Sequence, residues 1–139
     1  MSIVMIDLDH FKRINDAFGH AVEDMVLCAV GDILKSALRA SDLLARLGGE
    51  EFVVILPDTH QKAAIQIAQR LCRLIENIHL EAMPNRVTAS IGVSALAKQD
   101  DYFSQSDAYE NLLMRADKAL YAAKRGGRNQ VSEYSETAA

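Results

Sequence analysis

Ile3-Val4-Met5-Ile6-Asp7-Leu8-Asp9 is the stretch that decides the fold. From Ile3 to Leu8 the run is apolar, rich in β-branched residues and of strand length, which reads as a central strand. It ends on two carboxylates, Asp7 and Asp9, and everything that follows is arranged around that end.

Outward from this strand the hydrophobic period changes. Val22, Met25, Val26, Ala29, Val30, Ile33, Leu34, Ala37 and Leu38 recur at intervals of three and four. They form one stripe of an amphipathic helix from about Val22 to Leu38, with Gly31 as its weakest position. Asp42 to Arg46 is short, and Gly48-Gly49 is a turn dipeptide ahead of Glu50-Glu51-Phe52-Val53-Val54-Ile55-Leu56, so this segment reads as a β-hairpin with a glycine tip. Asp58 or Thr59 is expected to cap a second helix, in which Ala64, Ile67, Ala68, Leu71, Leu74, Ile75 and Ile78 keep the helical period. Pro84 and Asn85 end that connection.

Arg86 to Leu96 alternates as a strand, with Val87, Ala89, Ile91 and Val93 on one face and Gly92 on the other as a small residue or a bulge. Asp107 to Lys124 is helical through Leu112, Leu113, Ala116, Leu120 and Ala123. Gly126-Gly127 stops it before a short strand near Gln130 to Tyr134. The tail from Ser135 to Ala139 should fray. The order strand, helix, hairpin, helix, strand, helix, strand implies an α/β (α+β) domain, a mixed sheet with helices packed on it, and no internal repeat or second domain.

Composition agrees with one soluble domain: 139 residues, 50% hydrophobic and 24% charged, enough chain to bury a core without disulfide or metal staples. Lys plus Arg number 15 against 19 Asp plus Glu, a net charge of −4. That balance argues against a nucleic-acid module, whose phosphate contacts need a basic excess. It leaves room for a small phosphorylated ligand held by a metal ion and a few local cations. Cys28 and Cys72 lie far apart in apolar helical settings and read as buried thiols in a reducing compartment. The start, MSIVMIDLDHF, has neither the basic flank of a signal peptide nor the length of a membrane span. A cytoplasmic location without direct membrane insertion is expected.

Hard carboxylate oxygens at the end of an apolar strand suit Mg²⁺, although Asp also caps strands and opens turns. Gly48-Gly49-Glu50-Glu51 sets two further acids at a tip where glycine permits positive φ and a close ligand approach. If the hairpin strand lies beside the first strand, Glu50 can meet Asp7 and the two can share the divalent cations of a nucleotidyl transfer. Spacing alone equally fits a solvated acidic hairpin tip. Phe11, Phe18 and Tyr121 read as core or edge aromatics, and His10, His20, His60 and His79 form no metal-ligand spacing.

Taken together, three separated motifs carry a resemblance. Asp7-Leu8-Asp9-His10-Phe11-Lys12-Arg13-Ile14-Asn15-Asp16 with Phe18-Gly19-His20, then Arg46-Leu47-Gly48-Gly49-Glu50-Glu51-Phe52, then Ala116-Asp117-Lys118-Ala119-Leu120-Tyr121-Ala122-Ala123-Lys124 with Gly127-Arg128-Asn129 resemble the GGDEF family of diguanylate cyclases, in order and over almost the whole chain. The resemblance implies a palm-like, nucleotide-cyclase-like fold over residues 1–134, with a mainly antiparallel mixed sheet flanked by helices and Gly-Gly-Glu-Glu on a β-hairpin. It implies condensation of two GTP molecules into cyclic di-(3′→5′)-GMP with release of pyrophosphate. The 3′-hydroxyl held by one subunit attacks the α-phosphate held by the other, so a homodimer is expected.

By the same resemblance Asp7 and Glu50, with the backbone carbonyl of Leu8, would ligate Mg²⁺ or Mn²⁺, and Glu51 would be a further acid at that site. The proton acceptor for the 3′-hydroxyl stays open among Glu50, Glu51, metal-bound hydroxide and water. Asn15 and Asp24 look like guanine readers, with Leu27 lining the base pocket; an amide and a carboxylate fit the guanine edge and reject adenine. His10 and Phe11 through their backbone N–H groups, and Lys12, Lys124 and Arg128 through their side chains, resemble the phosphate contacts. Arg39-Ala40-Ser41-Asp42 matches the R-x-x-D inhibitory site for cyclic di-GMP, with Arg70 as a further candidate, while a local Arg–Asp ion pair is the plain alternative.

Two departures stand out. Where the family has glycine directly before the pocket aspartate, this chain has Glu23 beside Asp24. The chain also begins almost on the first strand, N-terminally truncated relative to the family, which lacks its usual preceding helix here; an exposed sheet face would favour self-association or a partner. A sensory or regulatory domain is expected in a full-length protein. The alternative function is a truncated or inactive GGDEF module that acts as a cyclic di-GMP receptor or interaction domain. Asn15 and Asp24 disfavour an adenylyl-type cyclisation.

Overall fold

A computed structural model describes residues 1–135, so the tail beyond Ser135 lies outside the described residues. The elements run β1 (Ser2–Leu8), α1 (Phe11–Phe18), α2 (His20–Ala37), β2 (Leu43–Gly48), β3 (Glu51–Leu56), α3 (Gln61–Glu76), β4 (Ala89–Ala95), a 3₁₀ turn (Lys98–Tyr102), α4 (Gln105–Arg125) and β5 (Gln130–Glu133). They build a five-stranded sheet in the order β2-β3-β1-β4-β5. β1 is central, antiparallel to both β3 and β4; β2 pairs antiparallel with β3, and β5 joins β4 in parallel.

Strand alternation distributes β1 between two cores. Val4, Ile6 and Leu8 face the larger one, shared with Phe11, Ile14, Val30 and Leu34 from α1 and α2, and Leu71 and Ile75 from α3. Ile3 and Met5 face the opposite side and pack with Val53 against Leu112, Ala116 and Leu120 of α4. The parity carries on to the end of the strand. Asp7 falls on the α4 face, and its register partners are Glu51 on β3 and Ser90 on β4.

Gly92 on β4 is a close-approach position and not a bulge. A Cβ added there would overlap the Ala116 carbonyl oxygen and the Leu120 amide and lie 2.8 Å from Leu120 Cα. α4 therefore rests backbone against backbone on β4, and Ser94 Oγ donates to the Leu112 carbonyl at 2.6 Å nearby.

Several expectations need correction. The segment after β1 forms a separate helix, α1, which the sequence reading left unassigned. Gly19, at φ 87°, divides it from α2 and donates its N–H to the Asn15 carbonyl. α3 is capped by neither Asp58 nor Thr59: His60 Nδ1 accepts the Ala63 N–H, because Asp58 takes a left-handed φ of 51° and Thr59 Oγ1 turns back to the Pro57 carbonyl. Strand β4 starts at Ala89 and not at Arg86. Cys72 is buried but Cys28 is exposed on α2, since it falls off the Val26, Leu27, Val30 and Leu34 stripe. Tyr121 is exposed as well and lies beside the Arg125 guanidinium, 5.8 Å from its ring centre. No helix among the described residues is long and apolar enough to cross a membrane.

Candidate active site

The C-terminal end of β1, the β2–β3 turn, the start of α1 and the end of α4 converge on one cleft of about 200 Å³. Each wall has a local reason. Gly49, at φ 38°, lets the hairpin turn, and Arg46 Nε donates to the Gly49 carbonyl at 2.9 Å to hold it. The turn is pinned to β1 by the Leu8 N–H, which donates to the Glu50 carbonyl at 3.2 Å. Glu50 thus lines the same cleft as Asp7 and Leu8.

The opposite wall is cationic. Lys124, at the end of α4, places Nζ 2.8 Å from Asp7 Oδ2, and Arg128 and Lys12 line the cleft with His10 and Phe11. His10 adopts φ 53° and opens α1 without a side-chain cap; the first N–H groups of a helix have no partner within it. Strand parity explains the Lys124 contact. Asp7 points to the α4 side, and Lys124 lies one helical step past Leu120 on the face that covers the sheet.

Glu51, opposite Asp7 in the β1–β3 register, is half-buried. Desolvation raises its carboxyl pKa above the ordinary value, the Asp7 carboxylate adds to the rise, and Lys124 partly offsets it. Asp9 behaves differently from Asp7. It accepts from Ser90 Oγ at 2.6 Å, Thr88 Oγ1 at 2.7 Å and the Asn129 N–H at 3.0 Å. It is a fully engaged structural carboxylate that fixes the turn carrying Arg128 and Asn129, both at positive φ.

Among the described residues, no group of three or more His, Cys, Asp or Glu side chains is placed to hold a metal. The Asp7 and Glu50 carboxylates and the Leu8 carbonyl are nevertheless hard oxygen donors suited to Mg²⁺, an ion that keeps several coordination positions for water and substrate phosphate. The Lys124 ammonium on Asp7 shows that this carboxylate already receives a positive charge. The residues therefore fit a divalent ion.

The remaining candidates lie in two other places. Asn15, on α1, is half-buried; Asp24 is exposed on α2, and Leu27 is buried one turn further on. Asn15 Nδ2 lies 2.7 Å from His20 Nδ1 and also donates to Glu23 Oε2. Arg39, Asp42 and Arg70 line a third location, a cavity of about 330 Å³ between the α2–β2 turn and α3. There the Arg39 N–H donates to Asp42 Oδ2 at 2.8 Å and Arg39 Nη2 reaches Asp42 Oδ1 at 3.2 Å. The pair is thus closed on itself. Arg39 Nη2 also donates to Thr59 Oγ1 at 2.9 Å, and His60 lines the cavity. Thr59 and His60 were missed by the sequence reading, as was the role of Asp9, because no local pattern marks partners that meet through the sheet or across a loop.

Residues 1–130 match the family model described as diguanylate cyclase, GGDEF domain. The chain is 44% identical over 134 residues to diguanylate cyclase A of Treponema denticola, covering 95% of this chain and 34% of that protein. It is 46% identical over 136 residues to the response regulator PleD of Caulobacter vibrioides, covering 94% and 28%. It therefore spans about a third or less of the length of these relatives. Among solved structures, the active GGEEF domain of a diguanylate cyclase from Vibrio cholerae is similar, with a TM-score of 0.86, 35% identity and coverage of 97% of this chain and 83% of that one. The GGDEF domain of DgcB from Caulobacter crescentus in complex with c-di-GMP is similar with a TM-score of 0.83, 28% identity and coverage of 96% and 77%.

Proposed function

This chain belongs to the diguanylate cyclase GGDEF domain family, and from that membership we propose that it condenses two GTP molecules into cyclic di-(3′→5′)-GMP. In each half-reaction a 3′-hydroxyl oxygen forms a bond to the α-phosphorus of the other GTP, pyrophosphate leaves, and the hydroxyl proton passes to a nearby acceptor. Two such steps close the ring and release two pyrophosphates. The observation that carries the reading is the single cleft in which the carboxylates of Asp7 and Glu50 face the cations Lys12, Lys124 and Arg128.

Asp7, Glu50 and the Leu8 carbonyl hold Mg²⁺ or Mn²⁺ in this reading, which when bound polarises the α-phosphate and acidifies a hydroxyl beside it. Lys12, Lys124, Arg128 and the first N–H groups of α1 bind the triphosphate and take up charge as it moves onto the leaving pyrophosphate. Glu51 stands beside Asp7 as a further acid, and Asn15, Asp24 and Leu27 receive the guanine. Each chain binds one GTP, so the reacting pair forms when two chains face each other. Arg39 and Asp42 with Arg70 bind product, which must first open the Arg39–Asp42 pair. GTP as substrate and two free thiols support a cytoplasmic setting, with control supplied by a sensory or regulatory domain of a longer protein.

Incubation of the purified chain with GTP and Mg²⁺, across concentrations that drive dimerisation, should yield pyrophosphate and cyclic di-GMP at two to one. Glu50→Ala should yield neither. A folded wild-type chain that makes no product while binding cyclic di-GMP would overturn catalysis and leave a receptor in its place.

A further inference from the structure

The amide of Asn15 is held from two sides by the first turn of α2: Nδ2 lies 2.7 Å from His20 Nδ1 and donates to Glu23 Oε2. An ionised carboxylate only accepts hydrogen bonds, so the Asn15 atom facing Glu23 is the NH₂ nitrogen and the amide orientation is fixed by chemistry. With His20 Nδ1 as the second acceptor, both N–H groups of Asn15 are engaged. What Asn15 has left for a ligand is its carbonyl oxygen.

Asp24, the next residue after Glu23, is exposed, and a carboxylate presents acceptors alone. Leu27 is buried one turn later, in the core beneath this surface. Asn15 and Asp24 therefore offer a ligand acceptors and no side-chain donor. On a purine, the edge that carries donors side by side is that of guanine, with N1–H and the exocyclic N2–H₂. Hypoxanthine keeps N1–H and loses the amino group, and adenine presents an acceptor at N1.

We infer that Glu23, together with His20, is a positioning residue that locks Asn15 as a hydrogen-bond acceptor and makes the base pocket selective for the purine 2-amino group. The inference rests on the proposal that Asn15 and Asp24 receive the base. Without the Glu23 carboxylate, Asn15 is free to turn over and donate its N–H to the purine N3 acceptor. GTP and ITP share that atom, so the distinction between them weakens.

Binding of unreactive α,β-methylene analogues of GTP and ITP to the full chain, measured calorimetrically with Mg²⁺, tests this directly. The wild-type chain should prefer the guanine analogue by about tenfold, the size of one hydrogen bond lost with the 2-amino group. Glu23→Ala should cut that preference at least fivefold, while Glu23→Gln, whose side-chain carbonyl still accepts from Asn15, should keep it within twofold. Circular dichroism on each variant establishes that it is folded. A folded Glu23→Ala with the wild-type preference, or a wild-type chain without one, overturns the inference. Asn15→Ala separates the two levels: if it lowers the preference and Glu23→Ala does not, only the lock is wrong, and if it leaves the preference intact the base-pocket reading fails with it.

Discussion

Glu51 and Asp7 are set face to face by the β1–β3 register, and burial with the neighbouring Asp7 charge raises the Glu51 pKa. A carboxyl whose pKa is higher in the folded than in the unfolded chain favours folding in its protonated form. That stability is fully present below the ordinary value of 4.5 and is lost as pH rises toward the folded value. Glu51→Gln removes the penalty. In metal-free buffer at pH 7 its melting temperature should exceed that of the wild type by about 2 °C, and the difference should vanish below the unfolded pKa; a gap that persists there would point to packing and not charge. Lys124 opposes the same penalty from the other side. Lys124→Met leaves the largely buried Asp7 without its cation, with an expected loss of about 1–2 kcal/mol in denaturant unfolding. Its kcat/KM for GTP should fall by on the order of a hundredfold, because in the proposed reaction the same ammonium binds the triphosphate.

At the scale of elements, the fit of α4 on β4 depends on the missing side chain of Gly92. Gly92→Ala must push the helix off the sheet, since the obstructing atoms are backbone and cannot rotate away. A loss of about 3 kcal/mol or more is expected in urea unfolding, and a loss under about 1 kcal/mol would show that the helix can shift freely. The turn leading into α4 is held by a different device. Arg115 Nη1 meets Asp100 Oδ2 at 2.9 Å, with both side chains largely buried, and the Ala97 N–H adds a bond to the same oxygen at 2.7 Å. The Arg115 hydrogen bond lowers the Asp100 pKa, so its contribution is present above the unfolded carboxyl pKa and lost as pH falls through the folded value. Asp100→Asn should cost about 3 kcal/mol at pH 7, as breaking one side of a buried pair does, and should lose the acid sensitivity of that window.

These elements were legible in the sequence to different degrees, for physical reasons. β1, α2, α3 and α4 each carry enough apolar positions for a period to show, and the glycine tip of the hairpin marks its own turn. α1 has only Phe11 and Ile14 buried in its span, too few to distinguish a helix from a polar loop. Its end is set by Gly19, whose backbone hydrogen bond to Asn15 is a property of the fold.

For the whole molecule, the candidate site was legible where a residue stands in a motif that marks itself, as Asp7 does at the end of an apolar strand and Glu50 after a glycine turn. It was opaque where the sheet does the joining: Asp9 with Ser90 and Asn129, and Arg39 with Thr59, are pairs that only tertiary structure assembles. The cleft itself supplies one set of carboxylates and one set of phosphate cations per chain. The proposed reaction joins two nucleotides and so would need a second set, supplied in that proposal by a second chain. Catalysis should then be second order in protein at low concentration. Below the dimer dissociation constant, each twofold dilution should halve the rate per chain, with a plateau above it. A mixture of Glu50→Ala with a large excess of wild-type chain should lose little activity, whereas an excess of Glu50→Ala should suppress the wild-type rate in proportion to mixed pairs. A rate per chain that stays constant on dilution into the range where sedimentation shows only monomer would show that one chain completes the site alone.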